Sequence, residues 1–152
     1  MPSSVLVALG SNLADPPTQL ASAVEALGSE LRELRVSRPY WTDPVGPVDQ
    51  PRFLNAAAVG RTDASPEAVL EFLQRLEALQ GRERTTRWGP RTLDLDLLLY
   101  DDVVLASDTL VLPHPELHKR RFVLEPACEL VPHWRHPVLG RSLADLLAEL
   151  PQ

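Results

Sequence analysis

Two aspartates one residue apart, Asp94 and Asp96, sit in the strictly alternating run Leu93-Asp94-Leu95-Asp96-Leu97. In an extended strand successive side chains point to opposite faces, so the acids share one face and the leucines the other. Their α-carbons then lie about 6.5–7 Å apart, and both carboxylates can converge on one or two hard cations. Oxygen ligands with no Cys or His beside them favour Mg²⁺ over zinc. Two such ions would clamp a polyphosphate and offset the charge that builds up during transfer. The plainer alternative is a half-exposed strand carrying two solvated acids. The apolar run Leu97-Leu98-Leu99 weighs against it, because an unpaired charge beside a core is expensive.

The segment just before this strand is rich in cations. Arg82, Arg84, Arg87 and Arg91 stand against a single acid, Glu83. Guanidinium forks match phosphate oxygens in a bidentate way. Trp88 offers a rigid apolar wall, Gly89-Pro90 fixes the turn into the strand, and a polar irregular loop of this kind can act as a lid. A solvated charge run pairing with Glu77, Glu83 or the aspartates is the competing reading. Its position next to two same-face acids favours anion and metal together. His114, between Pro113 and Pro115, is open to two readings: a donor to a phosphate oxygen or a structural residue. His118 is expected to face solvent, and His133 and His136 to be structural. Gln74 and Glu77, three apart, share one helix face, which spacing alone reads as a polar stripe.

The elements that must position these residues are legible from periodicity. Ser4 to Leu9 reads as a strand ended by a turn at Gly10-Ser11-Asn12. A helix is expected from about Thr18 to Leu34, with Leu20, Val24, Leu27 and Leu31 on one face. Val36 to Thr42 reads as a strand, Asp43 to Arg52 as a Pro-rich loop, and Phe53 to Arg61 as a strand. Ser65-Pro66 caps a helix running to Gly81. Arg82 to Thr92 is irregular, and Leu93 to Tyr100 is the next strand. Asp101-Asp102 suggests a hairpin into Val103 to Leu105. Pro113 to Phe122 reads as a loop with a short helix, and Ser142 to Leu150 as a terminal helix. The order β-α-β-β-α-β is that of the ferredoxin-like α+β fold: an antiparallel sheet with flanking helices and C-terminal additions.

The 152 residues fit one domain, 1–152, with its own core. The formal net charge of -6 disfavours a nucleic-acid binder. A single cysteine, Cys128, excludes an internal disulfide and reads as a small hydrophobe. No run approaches a membrane span and the start lacks a signal-peptide pattern, so a cytoplasmic protein with no membrane partner is expected. Neither a P-loop cradle, a nucleophile elbow nor a kinase motif set is present.

Four ordered segments together resemble the 6-hydroxymethyl-7,8-dihydropterin pyrophosphokinase family of folate biosynthesis. They are Ala8-Leu9-Gly10-Ser11-Asn12-Leu13, Gln50-Pro51-Arg52-Phe53-Leu54-Asn55-Ala56-Ala57, Arg87-Trp88-Gly89-Pro90-Arg91-Thr92-Leu93-Asp94-Leu95-Asp96 and Leu112-Pro113-His114-Pro115. The resemblance implies transfer of the β,γ-diphosphate of ATP to the pterin hydroxymethyl oxygen, with AMP released. It implies two Mg²⁺ on Asp94 and Asp96, with Arg82 and Arg84 as mobile-loop arginines near the phosphates. Arg91, His114 and Arg120 match ATP-phosphate contacts, and Gln74, Glu77 and Trp88 match residues around the nucleotide. For the pterin it implies Asn55 hydrogen-bonding the ring and Phe53 and Phe122 stacking on it. Backbone groups of Thr42, Asp43 and Val45 would complete recognition, with Gly46 making that loop pliable. The partners implied are ATP and a reduced pterin alcohol, acting on a monomer. Departures are Phe53 where some members have Tyr, Thr109 where some have Arg, and Arg121 where a small residue is frequent; none touches the acid pair.

Two other classes stay open on the residues alone. One is a different Asp-x-Asp metal enzyme, a nucleotidyl- or glycosyltransferase. The other is a non-enzymatic ferredoxin-like ligand-binding domain. An RNA-binding module would need a basic face that the charge balance does not offer.

Overall fold

The structure, a computed structural model, describes residues 2–12, 15–43, 51–80 and 93–151. Its centre is an antiparallel sheet. The long strand β1 (Ser3–Ser11) pairs on one side with β4 (Phe53–Thr62) and on the other with β5 (Asp94–Tyr100). β4 is flanked in turn by β2 (Arg32–Val36) and β3 (Tyr40–Thr42), giving the order β2-β4-β1-β5 with β3 also on β4. Helices α1 (Pro16–Glu30) and α2 (Pro66–Gln80) cover one face. Helices α3 (Arg121–Leu130) and α4 (Leu143–Glu149) cover the other. A small hairpin, β6 (Leu105–Ala106) with β7 (Val111–Leu112), and a one-turn 3₁₀ helix, Leu117–Lys119, lie between β5 and α3. This is the α+β arrangement expected from the element order.

The two cores follow from strand alternation. Val5, Val7 and Leu9 of β1, with Leu54, Ala56 and Ala58 of β4, point to α1 and α2. Leu6, Ala57 and Val59 point to α3 and α4. On β5 the pairing shifts between Leu6 and Val7, so Val7 faces Leu97 and Leu6 faces Leu99. Leu98 is the extra residue of a bulge, which explains three consecutive buried leucines: Leu97 goes to one core, Leu98 and Leu99 to the other.

Several boundaries differ from expectation. α1 stops at Glu30, not Leu34. Leu31 is still buried, but in extended backbone, where its side chain would clash with any Cβ at Gly60. The apolar period ran on because Leu31 belongs to the core in either conformation. Val36 to Thr42 is not one strand. β2 ends at Val36 and β3 starts at Tyr40, with Pro39, which has no N–H for a ladder, in the gap. Gly10 and Ser11 are strand residues, not a turn. Asp101-Asp102 does turn the chain, but Leu105 pairs with Leu112 and not back onto β5. The short helix expected within Pro113 to Phe122 is the 3₁₀ turn Leu117–Lys119, while α3 is a further helix not expected from the sequence. Pro126 sits inside it at the cost of one helical hydrogen bond, and burial of Val123, Leu124, Pro126 and Ala127 offsets that cost. The expected cap holds, with Ser65 Oγ accepting the Ala68 N–H at 3.1 Å; Ser142 Oγ likewise accepts the Asp145 N–H at 3.1 Å and caps α4. Among the described residues no helix is long and apolar enough to cross a membrane.

Candidate active site

On the α3 face, where β1 ends and β4 and β5 begin, the sheet carries a cavity of about 580 Å³. Its floor is made of small residues, Ala8 and Gly10 of β1. Gly10 is the register partner of Asn55 on β4 and of Asp94 on β5, so one row across three strands reads Asn55, Gly10, Asp94. A Cβ at position 10 would lie 3.1 Å from Asn55 Oδ1. The missing side chain therefore leaves open space between an amide and a carboxylate. Spacing alone did not single out Gly10; a glycine inside a strand is the signal for such close approach.

The amide end is closed by its own hydrogen bonds. Asn55 is only 6% exposed, and its Nδ2 donates to Thr42 Oγ1 at 2.6 Å. Pairing of Tyr40 with Asn55 and of Thr42 with Phe53 sets that contact. Phe53 and Phe122, both half-buried, line the cavity with Thr42 and Asp43. The Arg120 guanidinium lies over the Phe122 ring, 5.7 Å from its centroid, which holds a cation beside an apolar wall.

The acid end is built by alternation on β5. Asp94 and Asp96 are half-buried and line the cavity, while Leu95 and Leu97 are buried on the opposite side. Their common face is therefore as expected. The Leu95 N–H, between the two acids, donates to Glu77 Oε2 at 2.8 Å, so α2 grips the strand that presents them. Glu77 and the exposed Gln74 stand outside the cavity lining. Among the described residues no group of three or more His, Cys, Asp or Glu gathers as a metal cage. Two carboxylates on one face nonetheless fit Mg²⁺, which keeps several waters and takes one or two protein carboxylates with substrate phosphates.

His114 sits at the rim. Its N–H donates to the Leu98 carbonyl at 3.0 Å, fixing the segment against β5. Its Nδ1 accepts the Glu116 N–H at 3.1 Å, so the neutral ring carries its proton on Nε2, 4.0 Å from Asp96 Oδ1. Burial pushes the His114 pKa below the usual histidine value, against the pull of Asp96 and with help from Arg120. Three successive cations, Lys119, Arg120 and Arg121, also line the cavity. Only Arg120 was foreseen. Arg121 is also held by the Pro151 carbonyl, 3.3 Å from Nη2, and by Glu125.

Val45, Gly46, Arg82, Arg84, Arg87, Trp88 and Arg91 lie outside the described residues. His118 does not simply face solvent: its ring meets His136 edge-on at 5.7 Å, and its Nδ1 is buried. His136, 5% exposed, is structural as expected, its Nδ1 accepting the N–H groups of Val138 and Leu139.

Residues 6–132 match the family model described as 7,8-dihydro-6-hydroxymethylpterin-pyrophosphokinase (HPPK). The chain is 48% identical over 149 residues to the 2-amino-4-hydroxy-6-hydroxymethyldihydropteridine pyrophosphokinase of Pseudomonas aeruginosa, covering 97% of this chain and 91% of that protein. It is 44% identical over 126 residues to the same-named protein of Haemophilus influenzae, covering 82% and 79%. In fold it is similar to the crystal structure of wild-type Plasmodium falciparum HPPK-DHPS, with a TM-score of 0.77 at 14% identity, covering 98% of this chain and 45% of that one.

Proposed function

The chain belongs to the 7,8-dihydro-6-hydroxymethylpterin-pyrophosphokinase family, and from that premise we propose that it moves the β,γ-diphosphate of ATP onto the hydroxymethyl oxygen of 6-hydroxymethyl-7,8-dihydropterin. The substrate oxygen bonds to the β-phosphorus, the bond from that phosphorus to the bridging oxygen of AMP breaks, and AMP leaves. The hydroxyl proton passes to solvent, and no side chain is assigned as base.

The observation that carries this reading is the row Asn55, Gly10, Asp94, which puts a neutral amide and an acid pair at two ends of one cavity. An amide offers both donor and acceptor to the edge of a pterin ring. Asn55, oriented by Thr42, reads that edge, with Phe53 and Phe122 against the ring faces. Backbone groups of Thr42, Asp43 and Val45 complete the ring site. At the other end Asp94 and Asp96 would hold two Mg²⁺, and the ions would supply neutralisation of charge on the phosphate oxygens. Arg120 and the His114 Nε2–H reach phosphate oxygens from the rim. Arg82, Arg84 and Arg91 supply further guanidinium groups, and Gln74 and Trp88 contact the nucleotide. Glu77, bonded to the Leu95 N–H, acts as a positioning residue for the acid pair. The work of the chain is thus to orient two substrates and balance charge, which is most of what phosphoryl-type transfer requires.

Product analysis tests this. With ATP, Mg²⁺ and the reduced pterin alcohol, AMP should appear in step with the pterin diphosphate. ADP as the nucleotide product, or no pterin diphosphate, would contradict it.

A further inference from the structure

The same sheet face carries a second, smaller cavity at its opposite end. It measures about 180 Å³ and is lined by Ser4, Glu33, Arg35, Arg61 and Trp134, together with Val59 and Gly60. Arg61 is six residues along β4 from Asn55, roughly 20 Å at strand rise, so this cavity is separate from the candidate active site.

Its construction is specific. Arg32 pairs with Arg61 and Arg35 with Val59, so β2 spends three steps where β4 spends two. The extra residue makes a bulge, and within it Glu33 adopts φ 53, a left-handed conformation that costs a residue with a Cβ. Bulges re-aim side chains. Here Glu33 is brought to 3.8 Å from Arg61 Nε, near enough for charge balance but too far for a hydrogen bond. Arg61 Nε is buried and has no acceptor among the described residues, and Nη2 reaches only the Pro2 carbonyl at 3.3 Å. Arg35 makes one bond at the limit of reach, Nη1 to the Leu130 carbonyl at 3.5 Å. Two guanidinium groups with most donors unspent thus face one acid, leaving an excess of positive charge. A buried donor left unmet is costly and is met by an oxyanion at little cost.

Trp134 sets the rest of the ligand. Beside the two cations Trp134 lines the cavity, and an indole is an apolar aromatic group suited to contact with another ring. The volume matches roughly six waters at about 30 Å³ each, enough for one ring bearing one carboxylate. We propose that this cavity binds a small aromatic carboxylate, with the carboxylate on the Arg61 and Arg35 forks and the ring against Trp134. None of these residues belongs to the transfer machinery, so the site stands whether or not the reading of the active site does.

Benzoate is the probe, with acetate and inorganic phosphate as controls, followed by two-dimensional ¹H–¹⁵N NMR on the full chain. The indole N–H signal of Trp134, assigned by its loss in Trp134→Phe, should shift with benzoate and much less with acetate or phosphate. Arg61→Gln should weaken benzoate binding about tenfold or more, as expected for one lost charge-assisted fork. Arg35→Gln, at a more exposed position, should weaken it too, and Asn55→Ala should leave it unchanged. The proposal is overturned if benzoate does not shift the Trp134 signal. Equal response to phosphate or acetate, or unchanged affinity in both arginine variants, would overturn it as well.

Discussion

The two ends of the main cavity are prepared in opposite ways. At the amide end the folded chain satisfies itself: Asn55 is buried, bonded to Thr42 at 2.6 Å and locked by strand register. At the acid end like charges stand together on β5 while the compensating cations come from a different element, the turn leading into α3. Burial holds the pKa of His114, beside Asp96, below the usual histidine value. On the proposed function, the neutral ring is read by an amide that the fold already orients, whereas the phosphates meet a pair of acids and need cations beside them. Shape is specified by the fold at one end and by charge at the other.

The largest separation of the two ends is expected from Asp96→Ala. Turnover should fall by about 10³-fold or more, the scale seen when a group that stabilises transferring charge is removed. Thermal stability and pterin affinity should be retained, because Asp96 faces the cavity and not the core. Steady-state kinetics beside a melting curve check this; normal turnover would remove the acid pair from the mechanism.

Asn55→Ala should act at the other end. Losing the hydrogen bonds of a buried amide costs about 1–3 kcal/mol, or roughly fivefold to 150-fold in pterin affinity, with ATP affinity unchanged. Calorimetric titration of each substrate separates the two. Gly10→Ala sharpens the division further. Its methyl would press on Asn55 Oδ1 at 3.1 Å, so pterin affinity should drop by a few-fold to about tenfold, less than for Asn55→Ala. A larger effect on ATP than on pterin would mean that the floor serves the acid end instead.

The smallest expected effect lies in the scaffold behind both ends. Burial, and the neighbouring His118, lower the His136 pKa below the usual histidine value of about 6.5. The folded state then binds fewer protons than the unfolded chain. Stability is complete above that ordinary value and declines as pH falls through it, levelling off below the depressed folded pKa. Protonation would also break both N–H bonds to Nδ1. Melting temperature should therefore fall between pH 7.5 and pH 5 less in His136→Asn, whose amide oxygen still accepts but does not titrate. Equal pH dependence would assign the acid sensitivity elsewhere.

Much of this was written in the sequence where one rule acted alone. Alternation places Asp94 and Asp96 on one face, and Ser65-Pro66 marks a helix start correctly. Errors fell where two rules competed. Leu31 satisfies the helical period yet ends in extended backbone, because sheet pairing at Arg32 wins. No element is assigned to residues 123–141 from the sequence; α3 forms there with Pro126 inside it, because burial outweighs one lost hydrogen bond. Gly10 was read as a turn residue because its partners, Asn55 and Asp94, are distant in sequence and adjacent only across strands. Lys119 lacks a local signal for the same reason: nothing near it in sequence says that its turn borders the cavity.

The division between the ends is tested most directly by metal binding in the nucleotide complex. Mn²⁺, as a spectroscopic substitute for Mg²⁺, can be titrated by electron paramagnetic resonance with a non-hydrolysable ATP analogue present, in parallel with pterin affinity by calorimetry. Wild-type protein should hold the ion, and the Asp94→Asn, Asp96→Asn double variant should lose it while binding the pterin as before. Undiminished Mn²⁺ binding in the double variant, or a parallel loss of pterin affinity, would contradict the assignment of metal to one end and ring to the other.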